Sequence, residues 1–350
     1  MKTRNLRKPV LSAISLLMAA WMLSVSAPLS YAEDAGTAFV DVTEDDWFCG
    51  DVEYAYENGI INGVGDGRFA PNGTMTRAMA VTMLYRMAGE PDVGEENSLF
   101  SDVSEDQWYT NSVLWAMNND IVYGYDHFRF GPDKNITRAE FSVMLVRYAV
   151  YARLRMTGSE FKSEDIDLPF SDKSEIPSYA DMAVWLLSNA GIVNGKEDGI
   201  FDPDAEITRA ESAAMLHRFD RNTAPLQCPL LAKYDLSIAS AEICMDPSLY
   251  ANPEQLPYHF VGIIFSGENY NIRASVQLIY AKASTRTFNT VDIKLISEGP
   301  STRRAEAESL RPLIGLVTED IAVFNITLAD DNSTETLTCY SIIKQYDWSV

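Results

Sequence analysis

The sequence predicts a multidomain protein, in which an all-α module of three helix–loop–helix repeats precedes a mostly β C-terminal domain. The first observation behind this prediction is that Thr-Arg-Ala recurs at 76–78, 137–139 and 208–210, in copies 61 and 71 residues apart. Short helix pairs that repeat in this way bury their apolar faces only by packing together, here around a common axis. The second is a change of composition near residue 226, after which runs rich in Val, Ile, Thr and Tyr predict strands.

The chain opens with the pattern of a secretory signal. Four basic residues precede an apolar run over 10–25, and Ser30-Tyr31-Ala32 is a small-x-small cleavage site. We therefore predict a signal peptide over 1–32, cleaved after Ala32, and a secreted product. An uncleaved membrane anchor is the alternative, but the run is short for a span and ends in Ser and Pro. No membrane association is expected after cleavage.

Charge and cysteine content limit the partners of the protein. The net charge of −22 argues against nucleic acid, so any anionic partner must be met by locally focused cations. The four cysteines show no spacing typical of zinc, and we predict no metal or cofactor. Export permits disulfides, and Cys228 and Cys244 are close in sequence, although sequence does not fix the pairing.

Two helices are predicted in each repeat. The first carries apolar residues three and four apart, such as Val52 and Ala55, and ends at a residue suited to a left-handed position. Those residues are Gly59, Asp120 and Gly191. The predicted repeat boundaries are 33–90, 95–152 and 165–222, with the C-terminal domain over 226–350.

Each second helix is predicted to begin at the threonine of Thr-Arg-Ala. Thr-x-x-Glu is a capping box, in which the Thr side chain bonds the third helical amide and the Glu side chain reaches back. Thr137 with Glu140 and Thr208 with Glu211 fit this pattern. The first copy has Met79 in place of Glu, so only the threonine half of the capping box is predicted there.

The arginine after each threonine is an unfavourable choice, because the helix macrodipole places partial positive charge there. Arg77, Arg138 and Arg209 therefore need anions near them. One interpretation is a salt bridge to an aspartate of the same or the neighbouring copy. The other is a planar fork directed outward at a ligand carboxylate or phosphate, beside helix N-terminal amides that also favour anions. Both can hold, since a guanidinium has five donors.

An aspartate and an aromatic residue also recur upstream in every copy. The aspartates are Asp41, Asp102 and Asp172, and the aromatic residues are Trp47, Trp108 and Tyr179. A tryptophan at a helix start is more often a core residue or a helix staple. An exposed tryptophan beside a polar groove would instead stack on a sugar face.

Residues 39–219 resemble three tandem S-layer homology (SLH) domains. The motifs that carry the resemblance are Phe-x-Asp-Val at 39–42 and 100–103, Gly-Ile-Ile-Asn-Gly at 59–63, Gly-Asp-Gly-Arg-Phe-Ala-Pro at 65–71, Gly-Ile-Val-Asn-Gly at 191–195, and Ile-Thr-Arg-Ala-Glu at 136–140 and 207–211. The resemblance implies a pseudo-threefold, mostly helical module with grooves between its units. It also implies non-covalent anchoring to a bacterial cell wall through a secondary cell-wall polymer, an anionic glycan that bears pyruvate ketals.

Carried over position by position, the resemblance implies a set of polymer-binding residues. They are Arg77, Arg138, Arg209, Asp41, Asp102, Asp172, Trp47, Trp108, Gly63, Gly124 and Gly195. The glycines would let the backbone approach the sugar. The copies differ at Met79, at 126–128, where a Gly-rich turn is usual, and at Tyr179 and Lys173. These differences predict that the three grooves bind unequally.

The C-terminal domain resembles no family known to us. Strands are predicted over 258–265, 272–280, 291–296, 322–328 and 336–343, with a hairpin turn at 330–333 and one helix around 302–313. A binding or adhesive domain displayed at the cell surface is the favoured function, and a structural spacer is another. Catalysis by residues such as His259, Glu254, Glu268 or Asp292 and formation of a surface lattice are further alternatives, but no catalytic residue is assigned.

Overall fold

The computed structural model describes most of the chain after the predicted signal peptide. The described residues are 37–94, 100–126, 128–157, 167–245, 258–266, 272–282, 287–293, 295–297, 302–305 and 321–345. The predicted signal peptide and the segments 95–99 and 158–166 lie outside them. Among the described residues, no helix combines the length and the apolar character that crossing a bilayer requires.

Each repeat contributes two α-helices. They are α1 (Cys49–Glu57), α2 (Arg77–Met87), α3 (Thr110–Asn118), α4 (Arg138–Tyr151), α5 (Asp181–Asn189) and α6 (Arg209–Arg221). The capping boxes are confirmed at Thr137 and Thr208, and the half box is confirmed at Thr76, whose side chain accepts from the Met79 amide. The predicted left-handed positions are also confirmed, including Asp120, which has a φ of 59°.

The contacts between helices of neighbouring repeats form a closed cycle. The second helix of one repeat packs on the first helix of the next, so that α2 contacts α3, α4 contacts α5 and α6 contacts α1. Three backbone hydrogen bonds link the three repeats in a closed ring. The Met75 amide donates to the Ile207 carbonyl, the Ile207 amide to the Ile136 carbonyl, and the Ile136 amide to the Met75 carbonyl. Every repeat therefore touches both of the others, and the apolar faces of the six helices share one core.

The C-terminal region is rich in sheet. A short helix, α7 (Pro229–Lys233), precedes it, and β1 (Leu154–Met156) pairs with β2 (Thr223–Pro225) beside the repeats. The remaining strands are β3 (Ser237–Met245), β4 (Tyr258–Ser266), β5 (Arg273–Lys282), β6 (Thr287–Ile293), β7 (Leu295–Ser297), β8 (Thr302–Ala305), β9 (Ile321–Ala329) and β10 (Thr334–Gln345).

These eight strands form one sheet in the order β6-β5-β9-β10-β3-β4-β8-β7. The described pairings are antiparallel except for the parallel one between β10 and β3. One face of β9 contributes Phe324 and Ile326 to a second apolar core. On the opposite face of the sheet, Val323 of β9 and its partner Tyr340 of β10 pack into the core of the helical repeats. Side chains alternate across a strand, so one strand can serve both cores.

The structure differs from the sequence-based prediction in four features of this region. Residues 302–305, predicted to begin a helix, form β8, and 306–313 lie outside the described residues. Strand β3 and helix α7 were not predicted. Cys228 forms no disulfide: its thiol lies 3.0 Å from Oε2 of Glu335, while the Cys244 side chain lies outside the described part of the chain.

Candidate functional site

The three arginines lie mostly inside the protein rather than as outward forks. Arg77 and Arg138 are 5 % exposed and Arg209 is 6 % exposed. In each, Nε donates to the carbonyl of a phenylalanine in another repeat, at 2.7 to 3.0 Å, and Nη2 donates to a second carbonyl of that repeat. The phenylalanines are Phe130, Phe201 and Phe69. The buried half of each guanidinium therefore joins two repeats.

The helix N-terminal amides are also occupied by the neighbouring repeat. The amide of Arg209 donates to the Gly73 carbonyl, and that of Ala210 donates to Pro71. The corresponding amides of α2 and α4 make the same bonds to the next repeat. Backbone carbonyl dipoles thus provide the acceptors that an arginine at a helix start requires, and these amides are bonded to the neighbouring repeat.

The three aspartates act within their own repeats. Both oxygens of Asp41 accept amide hydrogen bonds, from Phe69 at 2.7 Å and Ala70 at 2.8 Å. Asp102 and Asp172 accept the equivalent pairs. Burial favours the neutral form of Asp41, but the amide hydrogen bonds outweigh burial and lower its pKa. The predicted alternative of an Arg–Asp salt bridge is therefore replaced by aspartate–backbone and arginine–backbone hydrogen bonds.

The repeated glycines have an internal reason to lack a side chain. A Cβ on Gly63 would lie 2.7 Å from the Phe39 ring, and one on Gly124 would lie 2.3 Å from the Asp126 carbonyl oxygen. At Gly195 the closest atom would be the carbonyl oxygen of Ile200, at 3.1 Å. Gly63 and Gly195 also line grooves.

The aromatic residues at the starts of the first helices are exposed. Trp47 is 63 % exposed, Trp108 is 60 % exposed and Tyr179 is 49 % exposed. Trp47 and Trp108 each line a groove that contains an arginine from another repeat. Both tryptophans are therefore exposed rings beside grooves that contain cations, rather than core residues.

A second repeated arginine was missed by the sequence analysis. It follows the first by nine residues in every copy, and its members are Arg86, Arg147 and Arg218. Arg86 and Arg218 line the grooves beside Trp108 and Trp47, respectively. Aligning the repeats beyond the Thr-Arg-Ala motif would have found this position.

The Arg138 groove encloses about 340 Å³ and draws residues from all three repeats. Trp47 comes from the first repeat and Arg138 from the second, whereas Lys196, Glu211 and Arg218 come from the third. The Arg138 Nη1 atom lies 3.2 Å from the Glu211 carboxylate, which is also 4.0 Å from Lys196. Burial lowers the pKa of Arg138, and Glu211 opposes that shift. This groove holds three cations and one internal carboxylate.

The Arg209 groove encloses about 360 Å³ and is built in the same way. Trp108 comes from the second repeat and Arg209 from the third, and the first supplies Val64, Met79 and Arg86. Met79 occupies the place of Glu211, and the described residues that line this groove include no carboxylate. Among the described residues, the Arg209 Nη1 atom has no hydrogen-bond partner, because the two bonds of this guanidinium come from Nε and Nη2.

Arg77 has different neighbours from those of Arg138 and Arg209. The Tyr125 ring covers Arg77, with its centroid 4.5 Å from Cζ, and the Tyr125 hydroxyl donates to Glu140 at 2.9 Å. Arg77 Nη1 is 4.0 Å from the same Glu140 carboxylate. Burial raises the pKa of Tyr125 to about 12, so its hydroxyl remains a donor at neutral pH. Tyr125 occupies the repeat position that holds Val64 in the first repeat and Lys196 in the third.

Comparison with known proteins supports the identity of the repeats. A family model described as the S-layer homology domain matches residues 38–80, 99–142 and 169–213. Over 175 residues the chain is 32 % identical to an amylopullulanase of Thermoanaerobacterium thermosulfurigenes. That alignment covers 50 % of this chain and 9 % of the enzyme. Over 162 residues it is 29 % identical to a cellulosome-anchoring protein of Acetivibrio thermocellus. That alignment covers 45 % of this chain and 35 % of the anchoring protein.

A third relative aligns over more of the chain. The chain is 23 % identical over 350 residues to S-layer protein sap of Bacillus anthracis, covering 95 % of this chain and 40 % of that protein. The chain therefore spans less than half the length of each of these relatives. The match of the family model in three places, on the helix pairs described above, leads to one conclusion: residues 38–80, 99–142 and 169–213 are three S-layer homology domains.

Proposed function

We propose that the three SLH domains hold this protein non-covalently on a bacterial cell wall, by binding an anionic, pyruvylated secondary cell-wall polymer in the grooves between repeats. The C-terminal region would then be displayed at the cell surface. The observation that carries the proposal is the Arg209 groove, in which an arginine that forms no ion pair within 4.0 Å among the described residues lies beside an exposed tryptophan. A ketal carboxylate suits a guanidinium, and a pyranose ring suits an indole face.

We also infer that the repeats are related by a pseudo-threefold rotation. The closed ring of backbone hydrogen bonds among Met75, Ile136 and Ile207 supports this arrangement, as does the cyclic helix packing. Each groove is then one copy of the same site, assembled from three repeats. A single SLH domain would not make a complete groove on its own.

The three grooves should differ in their affinity for an anion. The described lining of the Arg209 groove has two cations and no carboxylate, whereas in the Arg138 groove Glu211 competes for the guanidinium. At Arg77, Tyr125 and Glu140 already occupy the exposed side. We therefore expect the Arg209 groove to contribute most of the polymer binding.

Installing the missing carboxylate tests this proposal. Met79→Glu places in the first repeat the residue found in the other two, completes the capping box and provides Arg209 with an internal anion. We expect retention on purified wall sacculi to weaken about tenfold or more at low salt, because the ligand must then displace that carboxylate. Binding isotherms on native sacculi measure the change.

Met79→Gln is the matched control, because it can also complete the cap but brings no charge. It should bind within about twofold of the wild-type protein, and neither variant should be less stable to urea. Equal retention on sacculi stripped of polymer would contradict the proposed ligand. Unchanged binding by Met79→Glu would contradict the role of the Arg209 groove.

A further inference from the structure

One face of the sheet changes character along strands β5, β9 and β10. Ile279, Val323 and Tyr340 lie side by side across these strands and pack against the helical repeats. The next two rows on the same face are polar. They are Gln277, Asn325 and Thr338, and then Ser275, Thr327 and Thr336. The apolar part of this face is covered by the repeats, whereas the polar part lines a cleft.

The cleft has a volume of about 1080 Å³ and lies where the sheet meets the helical repeats. Arg155 and Met156 of β1 form one wall, residues 227–229 form another, and the polar rows form the floor. The Met156 amide donates to the Tyr340 hydroxyl at 2.9 Å, which fixes the first wall relative to the sheet. The volume is at the upper end of the range of small-molecule sites, and the cleft is open, so it can hold an extended ligand.

Hydrogen bonds on the floor orient its polar groups. Thr338 Oγ1 donates to Asn325 Oδ1 at 2.7 Å, which leaves the two amide hydrogens of Asn325 for another acceptor. Gln277 Nε2 lies 3.4 Å from one oxygen of Asp292, so the Gln277 carbonyl oxygen and the second Asp292 oxygen remain as acceptors. The floor thus presents uncharged donors and acceptors beside the carboxylate of Asp292.

We propose that this cleft binds a neutral oligosaccharide, a function separate from wall anchoring through the SLH grooves. Sugar hydroxyls both donate and accept hydrogen bonds, as do the amides and hydroxyls of the floor. Asp292 and Glu335 among the lining residues oppose an anionic ligand, and Arg155 is the one cation among them. A peptide added as a strand would need an unpaired edge, but β5 and β9 are each paired on both sides.

Titration of the full mature chain with uncharged hexasaccharides tests the proposal. The probes are β-1,4-linked and α-1,4-linked glucose, β-1,4-linked xylose and β-1,4-linked N-acetylglucosamine hexamers, followed by calorimetry. We expect saturable binding of at least one probe. The Gln277→Ala/Asn325→Ala double variant should bind it about tenfold or more weakly, because several hydrogen bonds are lost together.

Two controls separate this site from the anchor and from loss of the fold. Asp331→Ala, at the exposed hairpin tip outside the cleft, and Met79→Glu, in the Arg209 groove, should both leave hexasaccharide binding unchanged. Thr336→Val removes one hydroxyl of the floor while keeping a β-branched side chain, and should weaken binding with no change in thermal unfolding. Failure of all four probes to bind, or equal binding by the wild-type and both floor variants, would overturn the proposal.

Discussion

The Arg138 and Arg209 grooves share a backbone framework and differ in how their guanidinium groups are neutralised. Both arginines donate from Nε and Nη2 to carbonyls of another repeat. Arg138 then meets Glu211 through Nη1, whereas the first repeat offers Arg209 only Met79 at the equivalent place. One helix position therefore separates a groove with an internal ion pair from a groove whose described lining has no such pair.

This difference shows that the Thr-Arg motif has two separable parts. The buried part is structural, because its carbonyl acceptors would be left without partners if the arginine were removed. The part that faces the groove is adjustable, because a glutamate can be present or absent while the inter-repeat hydrogen bonds persist. Variants that address one part at a time therefore test the comparison.

The largest expected effect is the loss of a buried arginine. Arg209→Ala leaves the Phe69 and Asn62 carbonyls without this donor, so the free energy of unfolding should fall by about 3 kcal/mol. Arg138→Ala should cost about 1 kcal/mol more, because Glu211 also loses its closest cation. Urea denaturation measures both variants.

Arg129→Ala is the matched control for this pair. Its guanidinium is 70 % exposed and pairs with Asp126 three residues away, so its loss should change the unfolding free energy by less than about 0.5 kcal/mol. If Arg138→Ala and Arg209→Ala also cost less than about 1 kcal/mol each, the structural role of the buried half is wrong.

An intermediate effect is expected from the repeated glycines. Gly124→Ala would place a Cβ 2.3 Å from the Asp126 carbonyl oxygen, whereas Gly195→Ala would place one 3.1 Å from that of Ile200. The first should therefore destabilise the fold by about 2 kcal/mol and the second by about 1 kcal/mol. Thermal unfolding of the two variants gives the order. Equal losses would show that the backbone adjusts, and that close packing does not explain the glycine at Gly124.

The smallest effect is expected at acid pH. The pKa of Asp41 is lowered in the folded protein, because its amide hydrogen bonds outweigh burial. A carboxyl with a folded pKa below its unfolded value contributes stability that is present above about pH 4 and is lost as pH falls through the folded pKa. Asp41→Asn removes this titration, so its unfolding free energy should fall less steeply below about pH 4 than that of the wild type. Urea unfolding across this range measures both slopes, and parallel curves would contradict the assignment.

The predictions from sequence succeeded where a structure depends on neighbours in the chain. The capping boxes at Thr137 and Thr208 and the left-handed position at Asp120 involve residues a few places apart. They failed for β8 at 302–305, where pairing with β4 and β7 decides between strand and helix. The inward orientation of the arginine side chains was also not predicted, because the acceptor of Arg77 Nε lies 53 residues away in the chain.

The sequence alone determined that three SLH repeats are present, where their second helices begin and which residues cap them, since these features depend on local hydrogen bonds and a repeated pattern. Only the tertiary structure decided that each arginine is buried against another repeat and that Met79 and Arg209 line the same groove. It also decided that polar and apolar rows share one face of the sheet. These features arise from contacts between residues far apart in the chain, and such contacts exist only once the elements have packed.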